Sequence, residues 1–307
     1  MSSHEGSAKV IITALLANLG IAVAKFVGAM ISGSATLLAE AIHSFVDSIN
    51  QVLLLVGSKK SMKAPTEEHP LGYGREAFFW SFIVAILLFS MGGLFAIYEG
   101  IHKLGEHSKQ VEVNSPLIGM GILIVSIFLE GYSFWACLKE VKKQNPFGSL
   151  WKWFKKTKSS ELLVIFTEDA AALTGLVVAV VCLGMAWATG NSYWDSVGSI
   201  LVGILLVAVA ILLSIEVKSF IIGEASADDI RDFVIAEVPK KFPGGKVLNL
   251  IAVQTGSDEV MLIYKIHPGD ELKDLDQAII LVNELEKLTK SQFSSIRWQF
   301  VELDKAD

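Results

Sequence analysis

The sequence has few cysteines and little charge. Its two cysteines, Cys137 and Cys182, lie in apolar segments and form no Cys-x-x-Cys pair, so we expect neither a disulfide nor a thiolate metal site. Charged residues are only 19% of the 307 residues, hydrophobic residues are 52%, and the mean hydropathy is +0.52. A soluble domain needs a more charged surface. The sequence also has no basic stripe with interleaved aromatic residues, so no nucleic-acid partner is expected.

Long apolar stretches are what the sequence does contain. A spanning helix needs about 20 largely apolar residues, and a helix satisfies its backbone hydrogen bonds within one segment, as lipid requires. The stretches predict six transmembrane helices, over Lys9–Ile31, Ala35–Gly57, Ala77–Ile101, Pro116–Leu138, Leu162–Ala188 and Trp194–Ile215. The first stretch follows a short polar start without a cleavage site, so we expect it to be retained and not removed as a signal peptide.

Cationic residues are unevenly distributed among the connections. The second and fourth connections carry most of them, at Lys59, Lys60, Lys63, Arg75, Lys139, Lys142, Lys143, Lys152, Lys155, Lys156 and Lys158. The first and fifth connections carry none, and the third carries only Lys103 and Lys109. Because cytoplasmic loops are enriched in Lys and Arg, both termini are predicted to be cytoplasmic, or on the matrix side of an organelle. The host would be a bacterial inner membrane or an organelle membrane.

The composition becomes polar and acidic after Ile215. The pattern predicts a helix that Ser226 and Asp229 open as a capping box and Pro239 ends. It then predicts strands over Lys246–Gln254 and Glu259–His267, a helix over Glu271–Phe293 and a strand over Ser295–Leu303. The order α-β-β-α-β predicts a small α+β domain of two layers. The chain is thus divided into a transmembrane domain, 1–216, and a cytoplasmic domain, 217–307.

Polar side chains follow one face of the second stretch. His43 and Asp47 lie one helical turn apart, so an imidazole and a carboxylate can bind the same metal ion. Glu40 and Asn50 lie one turn to either side, on nearly the same face. An ionisable group inside a bilayer costs about 2.5–3.5 kcal/mol on insertion scales and therefore indicates a functional site. A His–Asp hydrogen bond that joins helices is the alternative.

The fifth stretch carries two adjacent carboxylates, Glu168 and Asp169. Neighbouring residues on a helix point about 100° apart, so we do not expect both to bind the same ion. One can face a metal site while the other pairs elsewhere or relays protons. A site of His43, Asp47 and Asp169, with a fourth ligand, fits four-coordinate Zn²⁺ with nitrogen and oxygen ligands. Such a site would also admit Co²⁺, Fe²⁺, Mn²⁺ or Cd²⁺.

Three motifs, in this order, resemble those of the cation diffusion facilitator family. They are His43-x-x-x-Asp47, the run His69-Pro-Leu-Gly72-Tyr-Gly74-Arg75 before Phe78-Phe79-Trp80, and the junction Gly223-Glu224-Ala225-Ser226. The resemblance covers nearly the whole chain. It implies a ferredoxin- or metallochaperone-like tail and a homodimer that exchanges a divalent cation for protons by alternating access. The pair Glu168-Asp169, with Glu40 and His43-Ser44, resembles the branch that includes the animal mitochondrial zinc transporter.

The chain departs from the family pattern in its fifth helix. Many zinc members carry His-x-x-x-Asp there; Asp169 matches the aspartate, but Ile165 takes the place of the histidine. The usual fourth ligand is therefore missing. Glu168 is the expected substitute, with Asn50, Glu130 or water as alternatives.

The connection between the second and third helices is a weaker metal candidate. Family members often place an acid and two histidines there. This chain has Glu67, Glu68 and His69, but Tyr73 takes the place of the second histidine. Glu68 and His69 are therefore secondary candidates, and a polar loop shaped by Pro70 is the alternative.

The tail departs from the zinc-sensing members of the family. Ile251, Lys265 and Trp298 stand where those members carry histidines. By this resemblance, the tail is expected to dimerise without a structural zinc cluster.

These features predict an efflux transporter, with zinc as the expected cargo, and neither an enzyme nor a protein with a prosthetic group. A bound metal ion needs neutral His43 and ionised carboxylates, so binding releases protons and favours metal/proton antiport. A membrane metal sensor or scaffold that transports nothing is the alternative. An intramembrane metal hydrolase would usually need a His-Glu-x-x-His helix, which the sequence lacks.

Overall fold

The computed structural model describes residues 12, 15–16, 18–28, 30, 35–105, 116–144, 148–191, 193–226, 228–270, 272 and 274–305. The helices that precede the sheet are α1 (Asn18–Gly28), α2 (Ala35–Ser61), α3 (Glu76–Leu87), α4 (Phe95–Gly105), α5 (Pro116–Gln144), α6 (Leu150–Lys156), α7 (Ser160–Thr189) and α8 (Tyr193–Ile222). The C-terminal elements are α9 (Asp228–Lys241), β1 (Lys246–Gly256), β2 (Glu259–His267), α10 (Leu275–Gln292) and β3 (Ile296–Leu303).

The chain divides into two compact units. The first comprises Met1–Lys59 and Ala77–Lys218, and the second comprises Lys60–Glu76 and Ser219–Asp307. The connection between α2 and α3 thus belongs to the unit that contains the sheet. Its Gly74 lies so close to the β1–β2 hairpin that a Cβ there would be 2.6 Å from the backbone oxygen of Thr255. Only glycine permits this approach.

Four helical segments in the described part of the chain are long and apolar enough to cross a membrane. They are Glu76–Gly105, Gly119–Lys143, Ser160–Thr189 and Tyr193–Ile222, and they confirm the last four predicted stretches. Helix α2, with 27 residues, is long enough to cross a membrane, but its polar face lowers its mean hydropathy and it is not one of the four. The first predicted stretch, Lys9–Ile31, lies partly outside the described residues, and α1 is the longest part of it that the structure describes. The total of six spans stays a prediction.

The third span is not a uniform α-helix, contrary to the expectation from its sequence. Its middle, Leu88–Leu94, is π-helical and joins α3 to α4 without a break. Two consecutive glycines lie there, and a Cβ at Gly93 would be only 2.6 Å from the Cγ2 atom of Val207 on α8. Single π-helical turns inside helices are frequent at functional sites.

Apolar contacts hold the helices of the first unit together. Leu123 on α5 packs with Leu176, Ala179 and Leu183 on α7, and all four side chains are buried. Other large apolar side chains on these helices, such as Phe128, are well exposed. Exposed apolar surface of this kind is expected where helices face lipid.

The second unit contains a sheet of three strands in the order β1-β2-β3. Strand β2 pairs antiparallel with β1, so that Ile251 faces Ile263, and parallel with β3, so that Ile263 faces Phe300. The other face of β2 packs against α9 and α10 in a core that includes Val234, Tyr264 and Leu285.

Two predicted helix bounds in this unit were wrong. Helix α9 does not end at Pro239 but continues to Lys241. Pro239 lies in the last turns, where its ring costs only the hydrogen bond to the carbonyl of Ile235, on the exposed side of the helix. Helix α10 starts at Leu275, because the carboxylate of Asp274 accepts a hydrogen bond from the Asp276 N–H (3.1 Å) and caps the helix. The predicted capping box of α9 includes residue 227, which lies outside the described residues.

Candidate metal site within the membrane helices

Helix α2 brings an imidazole and a carboxylate together. The Nε2 atom of His43 lies 3.5 Å from Oδ2 of Asp47, one helical turn away. Asp47 is 1% exposed and His43 is 9% exposed. The His43 Nδ1 and Asp47 Oδ1 atoms are buried and have no hydrogen-bond partner among the described residues. Buried polar atoms are nearly always paired, so this pair has spare capacity to bind a cation.

Helix α7 places its two carboxylates in different directions. The Asn50 side-chain amide on α2 donates a hydrogen bond to Oε1 of Glu168 (2.6 Å). The Ser133 hydroxyl on α5 donates to Oδ2 of Asp169 (3.0 Å). Both carboxylates are buried and lie close enough to Asp47 to interact with it electrostatically. Glu168 is therefore held by the helix that carries His43, and Asp169 by a different helix.

Glu40, predicted as a weaker ligand, already has a cationic partner. The Lys25 ammonium on α1 lies 2.8 Å from Oε2 of Glu40 and donates a second hydrogen bond to the Ser44 hydroxyl (2.9 Å). Lys25 is 1% exposed and Glu40 is 8% exposed. This ion pair joins α1 to α2 one turn from His43. Glu40 can act as a metal ligand only if Lys25 leaves it.

The predicted ligands do not form a closed coordination sphere in this structure. Across the described residues, no group of three His, Cys, Asp or Glu side chains is close enough to hold one metal ion. The structure pairs His43 with Asp47 and Asn50 with Glu168, while Asp169 is bonded to Ser133. The donor types suit Zn²⁺, and completing the site would require these side chains to converge on one point.

Another carboxylate, Glu130 on α5, lies beside this group. Its side chain is 1% exposed, and its Oε2 atom has no partner within the described part of the chain. It interacts electrostatically with Lys25, Asp47 and Asp169. Its place close to Asp47 keeps it among the candidates for a fourth ligand.

The connection between α2 and α3 does not assemble a metal site. Glu68 and His69 are both exposed. The His69 ring lies edge-on to the Tyr73 ring, with 4.6 Å between centroids, and the His69 N–H donates to the Thr66 hydroxyl (3.1 Å). The contacts within the loop are those of a folded polar turn.

Two tail positions, Lys265 and Ile251, were expected to take the place of zinc-binding histidines. Lys265 forms ion pairs with Asp304 (3.2 Å) and Glu302 (3.8 Å). Ile251 is 48% exposed, on the sheet face opposite to α9 and α10. At the end of β2, the His267 Nδ1 atom accepts a hydrogen bond from the Gly269 N–H (3.0 Å).

Some residues that shape this site have no clear signal in the sequence. A Cβ at Gly92, in the π-helical segment, would lie 3.6 Å from Nδ1 of His43, so the small residue leaves space beside the imidazole. The Ser44 hydroxyl accepts a hydrogen bond from Lys25, and the Ser133 hydroxyl donates one to Asp169. Their only signal in the sequence is that they are small or hydroxylated residues in apolar helices, a pattern that helix packing also produces.

Comparisons with known proteins agree with a metal transporter. Residues 11–221 match the family described as the cation efflux transmembrane domain. Over 227 residues the chain is 33% identical to the "Proton-coupled zinc antiporter SLC30A9, mitochondrial" of Xenopus laevis, covering 73% of this chain and 40% of that protein. Over 234 residues it is 34% identical to the "Metal tolerance protein C4" of Arabidopsis thaliana, covering 74% of this chain and 49% of that protein.

A third relative is matched over a larger share of its length. The chain is 30% identical over 226 residues to the "Magnetosome protein MamB" of a Magnetospira species, covering 72% of this chain and 70% of that protein. The chain thus spans less than half the length of the frog and plant relatives and over two thirds of the bacterial one.

Proposed function

The chain belongs to the cation efflux family of membrane proteins, the cation diffusion facilitators, and from this premise we propose that it exports a divalent metal cation, zinc by preference, in exchange for protons. Within that family it falls in the branch that includes the mitochondrial proton-coupled zinc antiporters. The names of those relatives support zinc as the cargo.

One observation carries the proposal: a buried His–Asp pair with unsatisfied atoms lies in a helix of the membrane unit. His43 and Asp47 are 3.5 Å apart, and Glu168 approaches the same helix through Asn50. Ionisable side chains at such positions are costly and are retained where they bind ions or protons. A set of one imidazole nitrogen and several carboxylate oxygens suits Zn²⁺.

The exchange follows from the charge of the ligands. A metal ion binds neutral imidazole and ionised carboxylates, so its arrival displaces protons from His43, Asp47 and Glu168. Protons that arrive from the opposite side restore the protonated forms and release the metal. Because imidazole changes protonation near neutral pH, a modest proton gradient can drive this cycle.

Alternating access and a homodimer complete the proposal. No three candidate ligands among the described residues converge on one point, which supports a cycle in which helix movement assembles and opens the site. The sheet face opposite to α9 and α10, with Ile251, Ile263 and Phe300, supports dimer contacts through the tail. The distribution of lysines supports cytoplasmic termini, in a bacterial inner membrane or an organelle membrane.

Metal uptake into proteoliposomes tests the function. We expect Zn²⁺ uptake by the wild type to follow an imposed proton gradient, and Mn²⁺, Fe²⁺ and Co²⁺ uptake to rank below it. The variant Asp47→Ala should lose uptake, while Asp232→Asn, which removes an exposed acid on α9, should retain it. Gradient-independent uptake, or full activity in Asp47→Ala, would contradict the proposal.

The rival function is a membrane metal sensor or scaffold. Folded wild-type protein that binds Zn²⁺ but moves no metal under any gradient would favour it. The buried His43–Asp47 pair in the membrane unit favours transport, because a sensor has no need to bind its metal between membrane helices.

A further inference from the structure

A cavity in the first unit leads away from the candidate metal site. His43 lines one part of it and Asp195, in the first turn of α8, lines another. The unsatisfied Nδ1 atom of His43 is buried, and the space beside it is the one left by Gly92, which also lines the cavity. The cavity therefore reaches an atom that can bind a cation.

Residues along α8 line the cavity and show in which direction it runs. Asp195, Ser199, Val202 and Leu206 line it and form one stripe on this helix. A Cβ at Gly92 would lie 3.5 Å from Leu206 and 3.6 Å from the His43 imidazole, so Leu206 lies at the level of His43. From there to Asp195 the helix rises about 16 Å. The cavity thus runs from the metal site to the end of α8 that is farther from Ile222.

An ion pair lies at this end of the cavity. The Lys103 ammonium on α4 is 3.3 Å from Oδ2 of Asp195, and the two side chains are 13% and 15% exposed. The Ser199 hydroxyl donates to the carbonyl of Ala96 (2.9 Å) and joins the same two helices deeper in the cavity. Of the carboxylates that line the cavity, Glu40 is bound by Lys25 and Asp195 is bound by Lys103.

We propose that the cavity is an access route to His43 and that Asp195 is a second site for divalent cations on it, closed by Lys103 when no cation is there. The Lys103 ammonium and a passing cation compete for the same carboxylate, so the ion pair opens as the cation arrives. A carboxylate among apolar walls attracts a cation more strongly than one in open water does. This inference rests on the proposed transport function for its purpose, but its test does not require transport.

Cys182 reports on this route. It lines the cavity beside Gly198, which follows Asp195 by one helical turn, and a Cβ at Gly198 would lie only 2.8 Å from the Cβ atom of Cys182. The other cysteine, Cys137, is fully buried on α5. In full-length protein in liposomes with Cys137→Ser, labelling by a water-soluble maleimide therefore measures how open the route is. Cys182→Ala, in the same background, gives the blank.

Opening the ion pair should expose Cys182. We expect Lys103→Met and Asp195→Asn each to speed labelling about tenfold, which corresponds to about 1.4 kcal/mol. The charge-swapped double variant, Lys103→Asp with Asp195→Lys, should restore slow labelling. Unchanged rates in both single variants, or a double variant that labels as fast as they do, would overturn the gate.

Cation binding at Asp195 is tested with Mn²⁺, which prefers oxygen ligands to thiolates. Mn²⁺ should slow labelling of Cys182 in Lys103→Met and leave the rate unchanged in Lys103→Met with Asp195→Asn. Equal protection in both variants would overturn the second site. Labelling that behaves as expected in a protein without metal uptake would reject the transport function and keep the route, whereas uptake with unaltered labelling would reject only the route.

Discussion

The two adjacent carboxylates of α7 differ in which helix holds them. Glu168 is bonded to Asn50 on the helix of His43, and Asp169 is bonded to Ser133 on α5. We therefore predict that Glu168→Gln lowers zinc affinity and uptake more than Asp169→Asn does. Initial uptake rates over a range of Zn²⁺ concentrations would separate the two variants. A larger loss in Asp169→Asn would show that the residue matched to the family pattern is the ligand instead.

Asn50 is predicted to position Glu168 rather than to bind the metal itself. Partners that orient a metal ligand typically contribute about 10–100-fold in affinity. Asn50→Ala should therefore weaken zinc binding by a factor in this range, and Asn50→Gln should recover part of it. Isothermal titration of the detergent-solubilised protein measures both. A loss in Asn50→Ala as complete as in Asp47→Ala would indicate direct ligation.

Lys25 and Glu40 should stabilise the fold because each neutralises the buried charge of the other. Removing one partner leaves a buried charge, which in other proteins costs about 3–5 kcal/mol, whereas replacing both partners costs much less. Lys25→Met and Glu40→Gln should each lower the unfolding temperature more than the double variant does. Thermal unfolding in detergent completes this double-mutant cycle. Additive losses would mean that the two side chains act independently.

Sequence reasoning could find the ionisable residues of the site but not their partners. His43, Asp47, Glu168 and Asp169 are conspicuous because charge inside an apolar helix is costly. That Glu40 binds Lys25 depends on how α1 packs against α2, which no spacing within one helix determines. The angle between neighbouring helix positions predicted that Glu168 and Asp169 point apart. Their hydrogen-bond donors, Asn50 on α2 and Ser133 on α5, follow from tertiary packing.

At the scale of helices, close contacts between glycines hold α8 against the third span. A Cβ at Gly203 would lie 2.8 Å from both the Ile97 nitrogen and the Gly93 carbonyl oxygen. Overpacking of this kind costs about 1–3 kcal/mol. We predict that Gly203→Ala lowers the unfolding temperature, although an alanine normally favours a helix over glycine. Gly184→Ala on α7, with nothing within 4 Å of the new methyl group, is the control and should not destabilise the protein.

The strand β2 contributes a pH-dependent stability to the second unit. Burial raises the pKa of Tyr264 to about 12, and its hydroxyl accepts a hydrogen bond from the Gln299 amide (2.9 Å). The folded state thus favours the neutral phenol, whose ordinary pKa is about 10. This stabilisation is fully present below pH 10 and is lost as the pH rises towards 12. The free energy of unfolding of this unit, measured with a denaturant, should fall over that pH range in the wild type. It should fall less steeply in Tyr264→Phe.

Elements differ in how well their sequence predicts them. The last four spans were predictable because about 20 apolar residues have few other uses, and β2 was predicted to the residue, Glu259–His267, from its alternating pattern. The π-helical segment Leu88–Leu94 was not predictable, since it is selected by packing of Gly93 against α8 and not by local propensity. The end of α9 was predicted too early, at Pro239, because a proline near a helix end removes few hydrogen bonds and does not stop the helix.

At the scale of the whole molecule, the buried charges of the first unit do not balance. Seven described carboxylates of this unit are buried, and five of them, those of Glu40, Asp47, Glu130, Glu168 and Asp169, interact with one another near Lys25 and the imidazole of His43. So many negative charges cannot remain ionised together in a low dielectric without further cations. Either protons or a divalent metal ion must compensate them. This requirement supports an exchange of protons for metal as a property of the cluster and not of one residue.

The second unit leads to a prediction about assembly. Ile251, Ile263 and Phe300 lie side by side across the three strands on the face opposite to α9 and α10, and Phe300 is 51% exposed. We predict that this row forms the contact between the tails of a homodimer, so Phe300→Glu should shift the full-length protein toward monomers in detergent. Ile280→Glu, at a similarly exposed position on α10, should remain dimeric. Light scattering in excess chelator measures both variants, since we expect the tails to dimerise without a bridging zinc cluster. Dimers that form only when zinc is added would contradict this assembly, since their contacts would then depend on metal and not on apolar surface.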